Sequence, residues 1–294
     1  MELSQDAISR AVRTALEEDL GAGDVTSEAT VPAEAVASGR FTARAAGVIA
    51  GLPVAAEVFR QVSPSVRFAA RVEDGAWVEP GRCVAEARGP ARALLAGERV
   101  ALNFLQRLSG VATLTRRCVE AVRGHEVKIL DTRKTTPGLR LLEKYAVRMG
   151  GGTNHRIGLY DQVLIKDNHL AHLLSEAGTP AAAVRLAVAR ARARSPEGML
   201  IEVETETLEM VDAAIEADAD IIMLDNMTLD QMREAARRVR ARRRATGAAR
   251  PVTEASGGIR PEKLAEVAAT GVDSISLGAL THSAPALDIA LDFA

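Results

Sequence analysis

Residues 199–205, MLIEVET, and 219–226, ADIIMLDN, carry the reading of the fold. Each is a short apolar run that ends in polar groups. Four more runs of the same kind occur: VKILDTRK (127–134), DQVLIKDNH (161–169), RPVTEASGG (250–258) and VDSISLGA (272–279). Between them lie stretches rich in helix formers, such as AAAVRLAVARARAR (181–194) and LDQMREAARRVRARRR (229–244). Buried parallel strands alternating with helices give this rhythm. Functional groups at the ends of successive strands are the mark of a β/α barrel face. A complete barrel takes about 250 residues, more than this segment offers, so the spacing predicts a reduced one. An open doubly wound sheet, which also places ligands at strand carboxyl ends, is the competing architecture.

The first hundred residues read differently. An amphipathic N-terminal helix precedes β-type runs at 39–45, 48–52, 66–72 and 83–87, with turn signals such as EDGAWVEPGR (73–82). Residues 90–122 then form a long helical pattern, with Leu94, Leu95, Val100, Leu102, Leu105 and Leu108 roughly three or four apart. The expectation is an α/β chain with a small α+β domain at 1–110 and the barrel at 111–280. Residues 281–294 are expected to pack on the first domain.

Composition narrows the function. The chain has 294 residues, and 37 basic against 39 acidic side chains leave a net charge of −2, which argues against a general polyanion binder. Any attraction for anions is local. MREAARRVRARRR (232–244) could suggest nucleic acid, but it lacks an aromatic platform and reads better as a solvated helix face. Only Cys83 and Cys118 occur, without a CxxC pair, which fits a reducing cytoplasm. The N-terminus is unlike a secretory signal, and no apolar run approaches the roughly 20 residues of a membrane span.

The strand ends supply the chemistry. The first run leads into Thr132, Arg133 and Lys134, followed by Thr135, Thr136, Pro137-Gly138 and Arg140. Such a density of donors suits a multiply charged anion better than it suits a solvated turn. The second run supplies Lys166, Asp167, Asn168 and His169, the third Glu202 and Glu204, and the fourth Asp225 and Asn226. Glu202 and Glu204 face the same way, and Glu204, nearer the strand end, is the expected site residue. Carboxylates beside lysines make sense if the ligand carries both phosphate and a hard cation, and Mg²⁺ prefers such oxygens. ASGG (255–258) and LGA (277–279) let backbone N–H groups approach a phosphate. Neither GxGxxG nor GxxxxGK[ST] occurs. His155 and Arg156, behind a triple glycine, are suited to carboxylate recognition.

DTRKTTPGLRLLEKYAVRMGGGTNHRIGLYD, LIKDNH, EVE, LDN, ASGG and GALTHS together resemble the quinolinate phosphoribosyltransferase family. EEDLGAGDVTSEAT, AAGVIAGL and GERVALNFLQRLSGVAT match it too, so the resemblance spans nearly the whole chain. It implies a type II phosphoribosyltransferase-like fold: a sandwich-like N-terminal domain and an incomplete α/β barrel. It implies conversion of quinolinate and phosphoribosyl pyrophosphate to nicotinate mononucleotide, pyrophosphate and CO₂, with Mg²⁺. A homodimer or an assembly of dimers with shared sites is implied as well.

By motif, the resemblance assigns Arg133, His155, Arg156, Lys166 and a second copy's Arg99 to quinolinate, with Thr132 beside them. Lys134 falls to phosphoribosyl pyrophosphate, and Lys166 lies between both substrates. Glu204 and Asp225 would hold the ribose hydroxyls and Mg²⁺, directly or through water. Ser256, Gly257, Gly258, Leu277, Gly278 and Ala279 would cradle the 5′-phosphate. A molybdenum-transport-associated homologue of the same fold is the nearest rival, and the DTRK, NHR and KDNH set favours quinolinate.

Overall fold

The computed structural model describes residues 3–293. The strands in chain order are β1 (Val36–Ala43), β2 (Gly47–Val48), β3 (Arg67–Ala70), β4 (Trp77–Val78), β5 (Cys83–Pro90) and β6 (Lys128–Leu130). They continue as β7 (Val163–Ile165), β8 (Ile201–Thr205), β9 (Ile221–Asp225), β10 (Val252–Ser256), β11 (Ser274–Ser276) and β12 (Ile289–Phe293). The chain forms two compact units. The first takes the residues up to Arg117, then Lys134–Gly152 and the residues from Gly278 onward; the second takes Cys118–Arg133 and Thr153–Leu277. The units thus interleave in sequence more than the sequence reading has it, with boundaries at 110 and 280 and residues 281–294 on the first domain. Close packing explains part of the difference: Gly150 and Gly152 lie so near Thr115 that a Cβ on either would collide with it.

The first unit is built on an antiparallel sheet in the order β12-β1-β5-β3. The C-terminal strand returns here, pairing Ile289 with Ala43 and Phe293 with Gly39. Phe41, Phe59 and Phe68 cluster on it with ring centroids 5.7–6.0 Å apart. The run at 48–52, expected to be a strand, is one only at Gly47–Val48. A helix, Leu52–Val62, begins at the last residue of that run, with a proline in its first turn. Proline suits that position because its missing N–H is unneeded there. Asp74 accepts the Gly51 and Leu52 N–H groups at 2.8 and 3.1 Å and the Tyr145 hydroxyl at 2.6 Å. The 31-residue helix Ala91–Ala121 buries Leu94, Val100, Leu105 and Leu108 as its spacing predicts.

The second unit is an all-parallel sheet in the order β6-β11-β10-β9-β8-β7. From β7 to β11 chain neighbours are sheet neighbours, and β6 joins the far end beside β11. That is barrel order with an open seam between β6 and β7. A doubly wound sheet would reverse direction at a switch point, and this one does not. At the seam Thr153 makes an isolated parallel bridge to Leu130. No helix among the described residues is long and apolar enough to cross a membrane.

Register separates the faces of this sheet. Glu204, Met223, Glu254 and Ser274 are successive partners across β8 to β11, so their side chains share one face. Asp225 pairs with Ser256 two residues further along on that same face. The alternate residues Val203, Ile222, Leu224, Ala255 and Ile275 are all fully buried. One face is therefore apolar core and the other, Met223 apart, is polar.

Candidate active site

At the carboxyl end of the parallel strands, the second unit gathers charges of both signs. Lys166 Nζ lies 3.7 Å from Glu204 Oε1, and Glu204 Oε2 accepts the Asp167 N–H at 3.1 Å. Burial raises the Glu204 pKa, and the nearby Asp225 carboxylate adds to the rise, while the Asp167 N–H and Lys166 oppose it. Asp225 itself accepts a hydrogen bond from Asn226 Nδ2 at 3.0 Å. Asn226 sits at φ 53°, a left-handed conformation that asparagine tolerates. Gly257, at φ 89°, has no room for a side chain: a Cβ would lie 2.7 Å from Asp225 Oδ1. This glycine is required by the carboxylate packed on it as well as by any phosphate.

Arg156 is nearly buried, 8% exposed. Burial lowers its pKa, and the Arg133 guanidinium lowers it further, whereas Glu202, Asp161 and Glu204 pull it up. Arg133 and Arg156 are thus close enough to repel. Two guanidinium groups held together in this way suit the arrival of an anion with more than one negative charge.

His155, assigned to quinolinate by its motif, lies against two buried acids. Its Nε2 lies 3.0 Å from Glu202 Oε2 and 3.5 Å from Glu254 Oε1, both on buried carboxylates. Burial opposes a charge on His155, but the two carboxylates outweigh it and lift its pKa to about 10. Its Nδ1, however, accepts the Arg156 N–H at 2.7 Å. With Nδ1 engaged by the Arg156 N–H, the Nε2 edge of the ring is the one turned to Glu202, at 3.0 Å but without hydrogen-bond geometry. Asp131, fully buried, accepts the His155 N–H at 2.8 Å and Asn154 Nδ2 at 2.6 Å.

Of the remaining predicted residues, Thr132 and Ser256 are partly buried in the second unit, Gly258 is exposed there, and Leu277 donates its N–H to Leu130 O at 2.9 Å. Arg99, Lys134, Gly278 and Ala279 belong to the first unit. Arg99 is exposed on the long helix. Lys134 packs so closely on Gly278 that a Cβ there would lie 2.9 Å from Lys134 Cδ. Thr281 Oγ1 donates to Lys134 O at 2.8 Å, and buried Glu143 accepts the Thr136 N–H and hydroxyl at 3.0 and 2.7 Å, holding the loop after Lys134.

The family model for the quinolinate phosphoribosyl transferase N-terminal domain matches residues 24–109, and the model for the C-terminal domain matches 111–292. The chain belongs to the quinolinate phosphoribosyltransferase family. Among its relatives is the nicotinate-nucleotide pyrophosphorylase (carboxylating) of Mycobacterium leprae, 46% identical over 290 residues, which cover 98% of this chain and 97% of that protein. The quinolinate phosphoribosyltransferase (decarboxylating) 1b of Nicotiana tabacum is 40% identical over 296 residues, covering 95% and 80%. The solved nicotinate-nucleotide pyrophosphorylase from Francisella tularensis superposes with a TM-score of 0.89 at 35% identity, covering 100% and 98%.

Within this family frame, sequence reasoning passed over Asp131, Gln162 and Glu254 and set Glu202 aside. A usable signal was present: Glu254 lies two residues before Ser256 on a buried strand, so the two share a face. An acid in the middle of such a strand needs a partner.

Proposed function

We infer that this chain transfers the phosphoribosyl group of phosphoribosyl pyrophosphate to quinolinate, giving nicotinate mononucleotide, pyrophosphate and CO₂ in NAD biosynthesis. The observation that carries this reading is buried Arg156 together with Lys166 beside Glu204 at the strand ends, within a chain matched by both family domains. Adjacent carboxylates on one ring call for several fixed cations, and the phosphoribosyl group calls for the acids and glycines beyond them.

In this reading the quinolinate nitrogen attacks C1′ as the C1′–O bond to pyrophosphate breaks, and the electron pair leaves with pyrophosphate. Arg133, Arg156 and Lys166 orient the two carboxylates. Glu204 and Asp225 lie where they can stabilise positive charge developing on the ribose. The ribosylated ring nitrogen is cationic, so it accepts the electrons of the breaking C–CO₂ bond, and a proton replaces CO₂. His155 serves this site from behind Arg156. Lys134 is assigned to the pyrophosphate, and Ser256, Gly257, Gly258, Gly278 and Ala279 to the 5′-phosphate, with Leu277, whose N–H is already donated to Leu130 O, beside them.

Glu204 and Asp225 fit Mg²⁺ by donor type, since both are hard carboxylates and such ions take one or two of these plus substrate oxygens. Bound there, Mg²⁺ would offset charge on the leaving pyrophosphate. The one three-residue His/acid cluster found among the described residues is His155, Glu202 and Glu254. It suits Mg²⁺ less well than Glu204 and Asp225 do, because one of its three donors is an imidazole nitrogen and this ion prefers oxygen.

Purified protein given quinolinate, phosphoribosyl pyrophosphate and Mg²⁺ is expected to yield nicotinate mononucleotide, with nicotinate used about 10⁴-fold less efficiently because it leaves site cations unpaired. Equal use of nicotinate would refute the two-carboxylate cradle. The reading also includes a homodimer in which Arg99 completes a second copy's site. Arg99→Ala and Lys134→Ala proteins, each nearly inactive, should then regain activity on subunit exchange, approaching about a quarter of wild type for random mixing. Verified heterodimers without that recovery would remove the shared site. The two free cysteines suit a reducing compartment such as the cytoplasm.

A further inference from the structure

Arg156 closes a ring of contacts with three other residues, His155, Gln162 and Glu202. Glu202 Oε2 lies 3.0 Å from His155 Nε2, and His155 Nδ1 accepts the Arg156 N–H at 2.7 Å. Arg156 Nη1 donates to the Gln162 carbonyl at 3.3 Å, and Gln162 Nε2 returns to Glu202 Oε2 at 2.5 Å. Arg156 is thereby held at its backbone and at its guanidinium, and both holds run to the same carboxylate. Glu254, from β10, reaches the imidazole from a second strand at 3.5 Å.

Glu202 and Glu254 are 0% and 1% exposed, and one oxygen of each, Oε1, makes no hydrogen bond. Burying two carboxylates side by side is costly, and a well-packed apolar set is often at least as stable. Stability alone is a weak reason for the arrangement. Precise placement of a cation is a better one, since small displacements of a binding group cost large factors in rate.

We propose that Glu202 and Glu254 are positioning residues: gripping His155 from β8 and β10, they fix the turn that carries Arg156 and aim its guanidinium at a substrate carboxylate. This rests on the quinolinate reading above. It makes His155 the link between buried acids and a working arginine. Asp131 supports the same turn from its other side by holding the Asn154 side chain and the His155 N–H.

The test is steady-state kinetics on Glu202→Gln, Arg156→Ala and the double variant. Glu202→Gln is expected to raise KM for quinolinate about tenfold or more, with KM for phosphoribosyl pyrophosphate unchanged within about twofold. In the Arg156→Ala background Glu202→Gln should add almost nothing, because the two act through one group. Losses that multiply in the double variant, or equal damage to both substrates, would overturn the proposal. Should Glu202→Gln fail to fold, Gln162→Ala removes a link of the ring at a partly exposed residue. The same KM split is expected there, and an unchanged quinolinate KM would overturn the proposal. Absence of quinolinate turnover by the wild-type protein would instead sink the reading on which it rests.

Discussion

The two sheets of this protein bury opposite chemistry. In the antiparallel sheet the inward residues are Phe41, Ala43, Phe68, Ala85 and Ala87, closed over by Phe59. The parallel sheet keeps an apolar face but turns Glu202, Glu204, Asp225, Glu254 and Ser256 to the other. An ordinary barrel interior is a packed aliphatic core. Filling it with acids sacrifices burial energy and creates fixed, desolvated charges, which is what a site for ionic substrates requires. The first sheet supplies stability to the fold; the second spends some on chemistry.

The sharpest way to break this contrast is to neutralise the acids at the strand ends. Glu204→Gln and Asp225→Asn should each lower turnover by about 10²–10³-fold, the usual loss of an electrostatic stabiliser, with quinolinate binding by calorimetry nearly intact. Arg133→Ala should do the reverse and weaken quinolinate binding by about 2–5 kcal/mol. If the acid variants lost quinolinate affinity instead, the polar face would be one undivided anion cradle.

A matched cut in the other sheet should hit stability alone. Phe59 is fully buried against Phe41 and Phe68. Phe59→Ala should cost about 3–5 kcal/mol in urea unfolding, and Phe59→Leu much less. The folded fraction of either should retain kcat/KM within about twofold. A large kinetic defect in well-folded Phe59→Leu would mean that the aromatic cluster tunes the chemistry, and the contrast would fail.

Much of this was legible from residue pattern. All six apolar runs are strands of the parallel sheet, and the polar residue closing each run is where site chemistry was sought. The alternation of Glu202 and Glu204 with Val203 shows why: period two puts every second residue on the polar face. The helix Leu52–Val62 was not read, because the apolar stretch around Val48 and Ile49 runs straight into it and only Pro53 marks the start. The role of His155 was equally hidden. Its partners Glu202 and Glu254 lie 47 and 99 positions away by residue number, and local spacing carries no trace of contacts made across strands.

One buried acid tests the contrast from within the first unit. Glu57, 3% exposed, accepts hydrogen bonds from Arg60 at 2.5 and 2.6 Å, Gln61 at 2.7 Å and Gln5 at 3.1 Å. Two of these partners are on its own helix, and none belongs to the proposed site. The Arg60 hydrogen bonds outweigh burial, and with Gln61 and Ser9 they hold the Glu57 pKa at about 2, below its ordinary 4.5. Because the folded pKa is depressed, its contribution is complete above about pH 4.5 and fades as pH falls toward 2. Arg60 is largely exposed, so the contribution is discounted to about 1 kcal/mol. Glu57→Gln should therefore be less stable than wild type by about that amount at pH 7 in urea unfolding, with the gap closing between about pH 4.5 and 2 and kcat unchanged. A gap independent of pH would show that the side chain acts through packing and not through charge. A fall in kcat would mean that a buried acid outside the parallel sheet also serves the reaction.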